Sequence, residues 1–345
     1  MKKLLSYTLL ATLSLCVTGC YEDYVKDYEY SGIYLAYQYD LRSFVVGEGM
    51  EFEIGPVLGG VMQNTRDRKV WYAFDDALVT ENLRAFVPDA ETDFTAFTEM
   101  TGQTSVGAVS QDYVKTAITA SKIKALTPLP QDAINVPDNP LLTISTGKHT
   151  ATVKIKADST AFLSLPGAGP MPYYAIGIQI LSADVDTVLL SKSYEVIALR
   201  YENTLFGNWY HGGRRAIVDA SGAEVSAVVY PTEIPSDEGS QAVYSLQTAS
   251  PYSVSTNYMA DGAGSLEITL KDGAVSVQSL GSTPVTDLGS SFNNSKLLQD
   301  RKLFLNYSYD NADGTKTVVK DTLTFRNRIR DGVNEWQDTN PEHYK

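Results

Sequence analysis

The chain has 345 residues, of which 41 are acidic and 28 are basic, so its net charge at pH 7 is −13. A surface of this charge repels phosphate backbones, which argues against nucleic acid as a partner. The only cysteines are Cys16 and Cys20. If the first is removed with a signal peptide and the second is acylated, the composition excludes disulfides, a thiolate zinc site and a cysteine nucleophile.

Residues 1–19 have the three parts of a secretory signal peptide. Two lysines give a positive start, residues 4–17 form an apolar core, and Thr18 and Gly19 are the small residues that a signal peptidase needs. A membrane span is the alternative interpretation. However, the apolar run is too short for about 30 Å of hydrocarbon. We therefore predict that residues 1–19 are removed.

The end of this segment, Val17-Thr18-Gly19-Cys20, resembles the bacterial lipobox. That resemblance implies cleavage before Cys20 and acylation of its thiol. Each buried CH₂ of an acyl chain contributes about 0.8 kcal/mol, so several chains would anchor the protein without a spanning helix. The alternative is an ordinary signal peptide followed by a chance cysteine. We expect Cys20 to carry the lipid anchor.

Residues 20–30 form an acidic tether, and loss of the two signal-peptide lysines would lower the net charge to −15. The sequence Tyr21-Glu22-Asp23 resembles the acidic export signal that follows the lipidated cysteine of Bacteroidetes surface lipoproteins. This resemblance implies the outer face of the outer membrane, whereas a plain solvated tether is the alternative. The expected localisation is a lipid-anchored protein on the outer membrane that faces the cell exterior.

Alternation of apolar and polar residues dominates the rest of the chain, as in residues 151–157, and it is typical of half-buried strands. Residues 111–126 could form a helix or a strand, because Val, Ile and Thr favour strands. The predicted class is all-β. Strands are predicted at 32–39, 51–55, 69–74, 151–157, 173–182, 188–200, 215–218, 225–230 and 242–248.

Two hairpins are predicted near the carboxyl end. Residues 265–280 alternate on both sides of Asp272-Gly273, which is a strong turn signal. Residues 302–325 turn on residues 310–314. The oxygen-rich sequence of this second turn, DNADG, could also bind calcium, but its spacing is not that of an EF-hand loop. We therefore interpret it as a turn.

A chain of this length usually forms two domains, and a long predicted strand ends within residues 200–213. Widely spaced strands predict an immunoglobulin-like β-sandwich with Greek-key connections over residues 31–200. Closely spaced strands joined by short turns predict a lipocalin-like β-barrel or sandwich over residues 201–345.

Several stretches carry a family resemblance: SGIYLAY, ISTGKHTATVKIKAD (144–158) and PYYAIGIQILSAD (172–184). They resemble the immunoglobulin-like module of Bacteroidetes surface lipoproteins encoded beside SusC/SusD-type glycan importers, except that no proline follows the aromatic pair at Tyr174. The sequences GNWY, LNYSYDNADG and DTLTFRNRIRDGVNEW resemble the companion domain of unknown function. The resemblance implies a glycan-binding accessory of a SusC/SusD-type importer.

No catalytic constellation is recognisable in the sequence. His149, His211 and His343 are far apart and lack metal-binding spacing. No nucleophile elbow or phosphate-binding glycine loop is present. Residues 91–99 contain Glu-x-Asp but lack the third acid of a jelly-roll glucanase motif. We predict no catalytic residue, metal or cofactor, and hence no enzyme.

The candidate ligand-binding residues are aromatic, because the chain has 22 tyrosines and such rings stack on sugars. We select Trp209, Tyr210, Tyr252 and Tyr258 because they cover the likeliest loop and strand positions. The alternative is that these rings only cover sheet faces, since tyrosine is common in strands. Trp209 also occupies the place where lipocalin-like barrels bury a structural tryptophan.

The other two tryptophans are interpreted structurally. Trp71 lies within a predicted strand and is expected in the core, whereas Trp336 lies in a polar tail and is expected to be exposed or to cap the fold.

The function predicted from the sequence is non-catalytic binding of a polysaccharide or oligosaccharide at the cell surface. The alternative is a fimbrial or adhesin-type lipoprotein, matured by cleavage after Arg42 and assembled by a donated strand. The tail NPEHYK is too polar and too interrupted by proline to be such a strand. An enzyme is the third hypothesis.

Overall fold

The computed structural model describes residues 30–82, 112–121, 126–137, 139–232, 242–260 and 262–338. The predicted signal peptide, Cys20 and nearly all of the tether therefore lie outside the described residues, as do His343 and the acidic stretch 91–99. In the described part of the chain, no helix combines the length and the apolar character needed to cross a bilayer.

The amino-terminal part combines short strands with helices. The described strands are β1 Gly32–Tyr34, β2 Tyr39–Val46, β3 Glu51–Ile54, β4 Val57–Gly59, β5 Arg68–Phe74, β6 Thr127–Pro128, β7 Ile134–Asn135, β8 Leu141–Ile144, β9 Val153–Ala157, β10 Tyr174–Ala183, β11 Thr187–Val188 and β12 Tyr194–Asn203. The described helices are α1 Asp76–Asn82, α2 Asp112–Ser121 and α3 Ser159–Ser164.

These strands form a β-sandwich. A six-stranded sheet has the order β2-β12-β10-β5-β8, with β6 paired to β10, and two smaller sheets have the orders β3-β9-β7 and β11-β1-β4. Residues such as Phe44, Ile155 and Ile176 from the large sheet and the β9 sheet share one buried cluster. The alternation predicted at 151–157 recurs in β9, where Val153 and Ile155 are buried and the lysines are exposed.

Helices cover the other face of the six-stranded sheet. Val79 of α1 and Val114 of α2 pack in one cluster with Ala175 and Ala198 of β10 and β12. Strands β10 and β12 are therefore buried on both faces over residues 174–178 and 196–199, which explains the continuous apolar runs YAIGI and VIAL. The ambiguous stretch 111–126 forms a helix over Asp112–Ser121.

The carboxyl-terminal part is one large antiparallel sheet. Its strands are β13 Gly207–Val218, β14 Glu224–Tyr230, β15 Val243–Ser250, β16 Ser253–Met259, β17 Gly262–Lys271, β18 Ala274–Ser279, β19 Thr286–Asp287, β20 Ser291–Phe292, β21 Lys302–Asp310, β22 Lys316–Arg330 and β23 Val333–Glu335. The order is β18-β17-β16-β15-β13-β22-β21-β19, with β14 on β13, β20 on β21 and β23 on β22.

This sheet curls around its own apolar core. Trp209, Leu266 and Leu305 belong to one cluster and are fully buried inside it. The first and last strands approach each other, since the backbone N–H of Val277 on β18 donates to the Asp287 carboxylate of β19 at 3.2 Å. The all-β prediction and both predicted hairpins, β17–β18 and β21–β22, are confirmed.

Some predicted elements differ from the structure. The predicted strand 32–39 is divided between β1 and β2. In the predicted strand 188–200, a 3-10 turn comes first, and the long strand begins only at Tyr194. The prediction that Trp71 is a core residue is wrong, because 38% of it is exposed. Its neighbours Val70 and Tyr72 face the core, so the alternation of β5 places the Trp71 ring on the opposite face. The domain boundary near residue 200 stays a prediction.

Candidate ligand-binding site

The four aromatic residues selected from the sequence lie in different environments. Trp209 is fully buried, and its indole nitrogen donates to the carbonyl of Leu205 at 3.0 Å, so it is part of the core. Tyr210, next on the strand, faces outward but is only 4% exposed. Tyr252 and Tyr258 are each 44% exposed. The structure does not bring these rings together as one aromatic surface.

Tyr252 and Tyr258 lie at opposite ends of β16. Tyr252 borders a cleft of about 260 Å³, and the Lys271 ammonium lies 5.7 Å from its ring centroid. Tyr258 stacks on Tyr244 with 4.9 Å between ring centroids, and Tyr244 stacks on His211 at 4.5 Å. Tyr258 is thus the exposed end of an otherwise buried ring stack.

Tyr210 lines a pocket of about 300 Å³ on the outer face of the carboxyl-terminal sheet. Its other lining residues are Arg326, Asn327, Asn334 and Trp336. We call this the aromatic–amide pocket. Trp336 is 60% exposed, so one large ring borders the pocket from the solvent side while Tyr210 forms its floor. An exposed ring beside polar groups is the combination that sugar recognition needs.

A β-bulge directs one side chain into this pocket. Along β13 and β22, Asn208 pairs with Asn327 but the next residue, Trp209, pairs with Phe325. Arg326 is therefore the extra residue of a bulge, and its guanidinium carbon lies 5.7 Å from the centroid of the Tyr210 ring. Bulges re-aim side chains in this way and are common beside binding sites.

A tight hairpin brings Trp336 back alongside β22. Asp331 and Gly332 turn the chain with φ angles of +51° and +77°, and β23 then pairs with the end of β22. The turn rests on the amino-terminal part, because Ser43 donates to the Asp331 carboxylate from its backbone N–H (2.8 Å) and from its hydroxyl (2.7 Å). Both parts of the chain therefore fix the position of the pocket.

A row of amides crosses the floor of the pocket. The Asn208 side chain donates to Asn327 Oδ1 at 3.2 Å, and Asn327 Nδ2 donates to Asn334 Oδ1 at 2.7 Å. This leaves the Nδ2 group of the exposed Asn334 with no hydrogen bond to any residue the structure describes. That amide is held in position and can donate to a ligand.

The opposite face of β23 is saturated by ion pairs. Glu335 accepts from Arg328 Nε at 2.6 Å and from Arg330 Nε at 3.0 Å. Arg328 also donates to both carboxylate oxygens of Glu48, at 2.9 and 2.8 Å, and Arg301 donates to Glu48 at 2.6 Å. We call Glu48, Arg301, Arg328, Arg330 and Glu335 the junction cluster, because it joins the two parts of the chain.

Electrostatics in the junction cluster are strongly coupled. Burial alone would raise the pKa of Glu48, but the charges of Arg328 and Arg301 and their hydrogen bonds together outweigh it and hold that pKa well below its usual range. Glu48 is thus ionised and paired. A polar cleft of about 620 Å³ lies beside this cluster, and its Lys154 is paired with Glu51 at 2.6 Å.

The two histidines that the structure describes lie in separate structural surroundings. His149 contacts the carbonyl of Val61 at 3.3 Å, and His211 is buried with Nε2 2.9 Å from Asp321 Oδ1. Within the described ranges, no group of three His, Cys, Asp or Glu residues could hold a metal ion. The turn 310–314 predicted as a hairpin connection lies between β21 and β22.

Sequence reasoning identified Tyr210 but not its partners in the pocket. It placed Trp336 in a polar tail, which agrees with its exposure, and it did not select Arg326 or Asn334. One signal could have found them. Asp331-Gly332 is the same dipeptide that predicted the turn at 272–273, and a hairpin there folds Trp336 back onto β22.

No protein-family model matches the chain, and no curated protein matches it. A solved structure of unknown function from Bacteroides ovatus matches with a TM-score of 0.56 and 16% identity, covering 90% of this chain and 98% of the other. At this identity the likeness shows a shared fold and nothing more.

Other matched structures also come from Bacteroides species. One, a multidomain protein including DUF1735 from Bacteroides ovatus, has a TM-score of 0.34 and 9% identity over 89% of this chain and 100% of the other. Another, an auxiliary nutrient binding protein from Bacteroides thetaiotaomicron, has a TM-score of 0.30 and 13% identity over 84% and 90%. TM-scores below 0.5 carry no conclusion about this chain.

Proposed function

We propose that this protein is a non-catalytic glycan-binding accessory and that the aromatic–amide pocket is its binding site. The observation that carries the proposal is the 60% exposed Trp336 beside the Nδ2 group of Asn334, in a pocket floored by Tyr210. The amide row orders Asn334 before any ligand arrives, and the β23 hairpin brings Trp336 to the edge of the same pocket.

The chemistry of sugars fits this arrangement. A sugar ring has an apolar C–H face that stacks on an indole, while its hydroxyls accept and donate hydrogen bonds at the edge. Preorganised groups lose little conformational entropy on binding, which favours affinity from a small site. The amides on the pocket floor are already ordered by each other, so the main group to be immobilised is the ring of Trp336.

The proposal includes a place in the cell. The sequence Val17-Thr18-Gly19-Cys20 and the acids that follow it support a lipid anchor and an outward-facing surface lipoprotein, which would present glycan to a SusC/SusD-type importer. Fatty-acid labelling of cells that express the parent or Cys20→Ala tests the anchor. We expect the parent to incorporate the label and the variant to lose it, whereas an unlabelled parent or an equally labelled variant would contradict the proposal.

The fimbrial alternative gains less support from the structure. Arg42 lies within β2, which pairs with β12 over eight residues, and it forms an ion pair with Asp40 at 2.8 Å. Cleavage after Arg42 would cut a strand inside the folded sandwich. Such a cut would remove buried residues such as Ile33 and Leu41 from their sheets.

Trp336→Ala tests the binding site. Affinity electrophoresis of the chain from residue 21 to residue 345 against a panel of plant and host polysaccharides would first identify a ligand. Loss of the ring should then weaken binding roughly tenfold to a hundredfold, from lost stacking and lost apolar burial. Trp71→Ala is the matched control, because Trp71 is exposed on the amino-terminal part. Absence of binding to every polymer, or equal binding by both variants, would refute the proposal.

A further inference from the structure

The aromatic–amide pocket contains a cation that the described protein does not neutralise. The guanidinium of Arg326 lies over the Tyr210 ring, at 5.7 Å, and makes no hydrogen bond or ion pair with any residue within the described ranges. It is half-buried on the pocket wall. An aromatic ring compensates a positive charge only in part, since a cation–π contact contributes about 0.5–2 kcal/mol.

The neighbouring arginines are treated differently by the fold. Arg328 and Arg330, two and four residues further along β22, share Glu335. Arg214 on the adjacent strand β13 pairs with Glu224. Acidic residues outnumber basic ones by 41 to 28 in the chain, yet none of the described carboxylates pairs with Arg326. Unlike Arg214, Arg328 and Arg330, Arg326 thus keeps its guanidinium open to a ligand.

The position of Arg326 is suited to a carboxylate on a bound ligand. A guanidinium presents paired N–H donors that match the two oxygens of a carboxylate. Arg326 lines the same pocket as the exposed Trp336 ring and the amide of Asn334. A six-membered sugar acid offers these three features together: a C–H face, ring hydroxyls and a carboxylate.

We propose that the pocket selects uronic-acid residues of an acidic polysaccharide, with the carboxylate on Arg326, the ring face on Trp336 and a hydroxyl on Asn334. This inference rests on the proposed function and adds its ligand class. A neutral sugar in the same position would desolvate Arg326 without supplying a counter-charge. The overall charge of −13 repels an acidic polymer at long range. Binding therefore depends on the local ion pair between Arg326 and the carboxylate of the ligand.

Matched polymers test the ligand class. The chain from residue 21 to residue 345 is titrated with polygalacturonate, alginate and chondroitin, and with the carboxyl-reduced form of each, by isothermal calorimetry at low ionic strength. We expect at least one uronate polymer to bind at least tenfold more tightly than its carboxyl-reduced form. Arg326→Gln should abolish this preference, whereas Arg326→Lys should retain part of it. Arg214→Gln is the control on the same sheet and should bind as the parent does.

The outcomes separate this inference from the proposed function. Equal binding of the native and reduced polymers, lost in Trp336→Ala but not in Arg326→Gln, would overturn the acidic ligand class and leave glycan binding intact. If the protein binds none of these polymers and no neutral glycan, both the acidic ligand class and the proposed glycan-binding function are overturned. Thermal unfolding of Arg326→Gln and Arg326→Lys is measured alongside, so that retained folding shows that any lost preference comes from the pocket.

Discussion

Two neighbouring residues, Glu335 and Trp336, lie on opposite faces of the β23 hairpin and have opposite surroundings. Glu335 is held by Arg328 and Arg330, within the buried junction cluster that includes Glu48. Trp336 is exposed, and the side chains around it, Arg326 and Asn334, keep donors that no described residue uses. On the face of Glu335 the charged groups are paired with each other, whereas on the face of Trp336 hydrogen-bond donors stay available.

This difference indicates how the hairpin divides its roles. Removing one partner from a complete buried network leaves charges unpaired, so the junction cluster should govern stability. Donors held in place without a partner cost little to leave exposed and can be used by a ligand. We therefore expect substitutions on one face to change folding and substitutions on the other to change binding.

The largest effect should follow from Glu48→Gln. The Glu48 side chain is 6% exposed and accepts four hydrogen bonds, from Arg301, Arg328 and the Thr204 hydroxyl. Its neutralisation removes a negative counter-charge from the buried guanidinium groups of Arg301 and Arg328. The free energy of unfolding at pH 7 should fall by about 3–5 kcal/mol, measured by urea denaturation. Glu53→Gln, at the exposed Glu53, is the control and should change it by less than about 0.5 kcal/mol.

The same substitution has a defined pH dependence. The pKa of Glu48 is lowered in the folded chain from a usual value of 4.5, so the unfolded chain binds more protons in acid. Its stabilising contribution is therefore present above about pH 4.5 and is lost as the pH falls toward the folded pKa. The stability difference between the parent and Glu48→Gln should shrink below about pH 4.5. A difference that stays constant when the solution is acidified well below that pH would contradict the pairing.

The turn that joins the two faces should affect both folding and binding. Gly332 has φ +77°, and an added Cβ would come within 2.6 Å of the Tyr113 ring. Gly314 has φ +83° with open space around it, so Gly314→Ala costs only the backbone strain of about 1 kcal/mol. Gly332→Ala should destabilise by about 1 kcal/mol more and weaken glycan binding, because Trp336 moves with the hairpin. Equal losses of stability in Gly332→Ala and Gly314→Ala would show that the contact with Tyr113 does not constrain the turn.

The smallest effect should come from Asn334→Ala. Loss of one ligand hydrogen bond costs about 0.5–1.5 kcal/mol, so affinity should fall roughly twofold to tenfold without a change in thermal unfolding. Gln337→Ala is the matched control, since Gln337 is exposed on the same segment but lines the cleft beside the junction cluster. A larger loss in Gln337→Ala would place the ligand on the opposite face.

The sequence predicted the sheet content well because alternation and turn dipeptides are local signals. Residues 265–280 form the predicted hairpin β17–β18, and Val153 and Ile155 point inward as expected. The same local rule would have corrected Trp71, since it alternates with buried Val70 and Tyr72. Short helices such as α1 were not predicted, because seven residues carry too little periodicity.

The candidate site was only partly predictable, because its geometry depends on distant pairing. Tyr210 and Arg326 meet through the pairing of β13 with β22, and the bulge that directs Arg326 into the pocket leaves no mark in the sequence. Glu48 finds Arg301 and Arg328 more than 250 residues away. Trp209 is buried and Trp336 is exposed because of the face of the sheet on which each ring lies. The register of all the paired strands determines that face.

The indole N–H signals of the three tryptophans offer the most direct test of the aromatic–amide pocket. In a ¹H–¹⁵N titration of the chain from residue 21 to residue 345 with an oligosaccharide that binds it, buried Trp209 and exposed Trp71 serve as internal controls. We predict a saturable shift of the Trp336 indole signal and of the Asn334 side-chain amide, with the other two indoles unchanged. Saturable binding that shifts Trp71 and leaves Trp336 unmoved would contradict the assignment of the site.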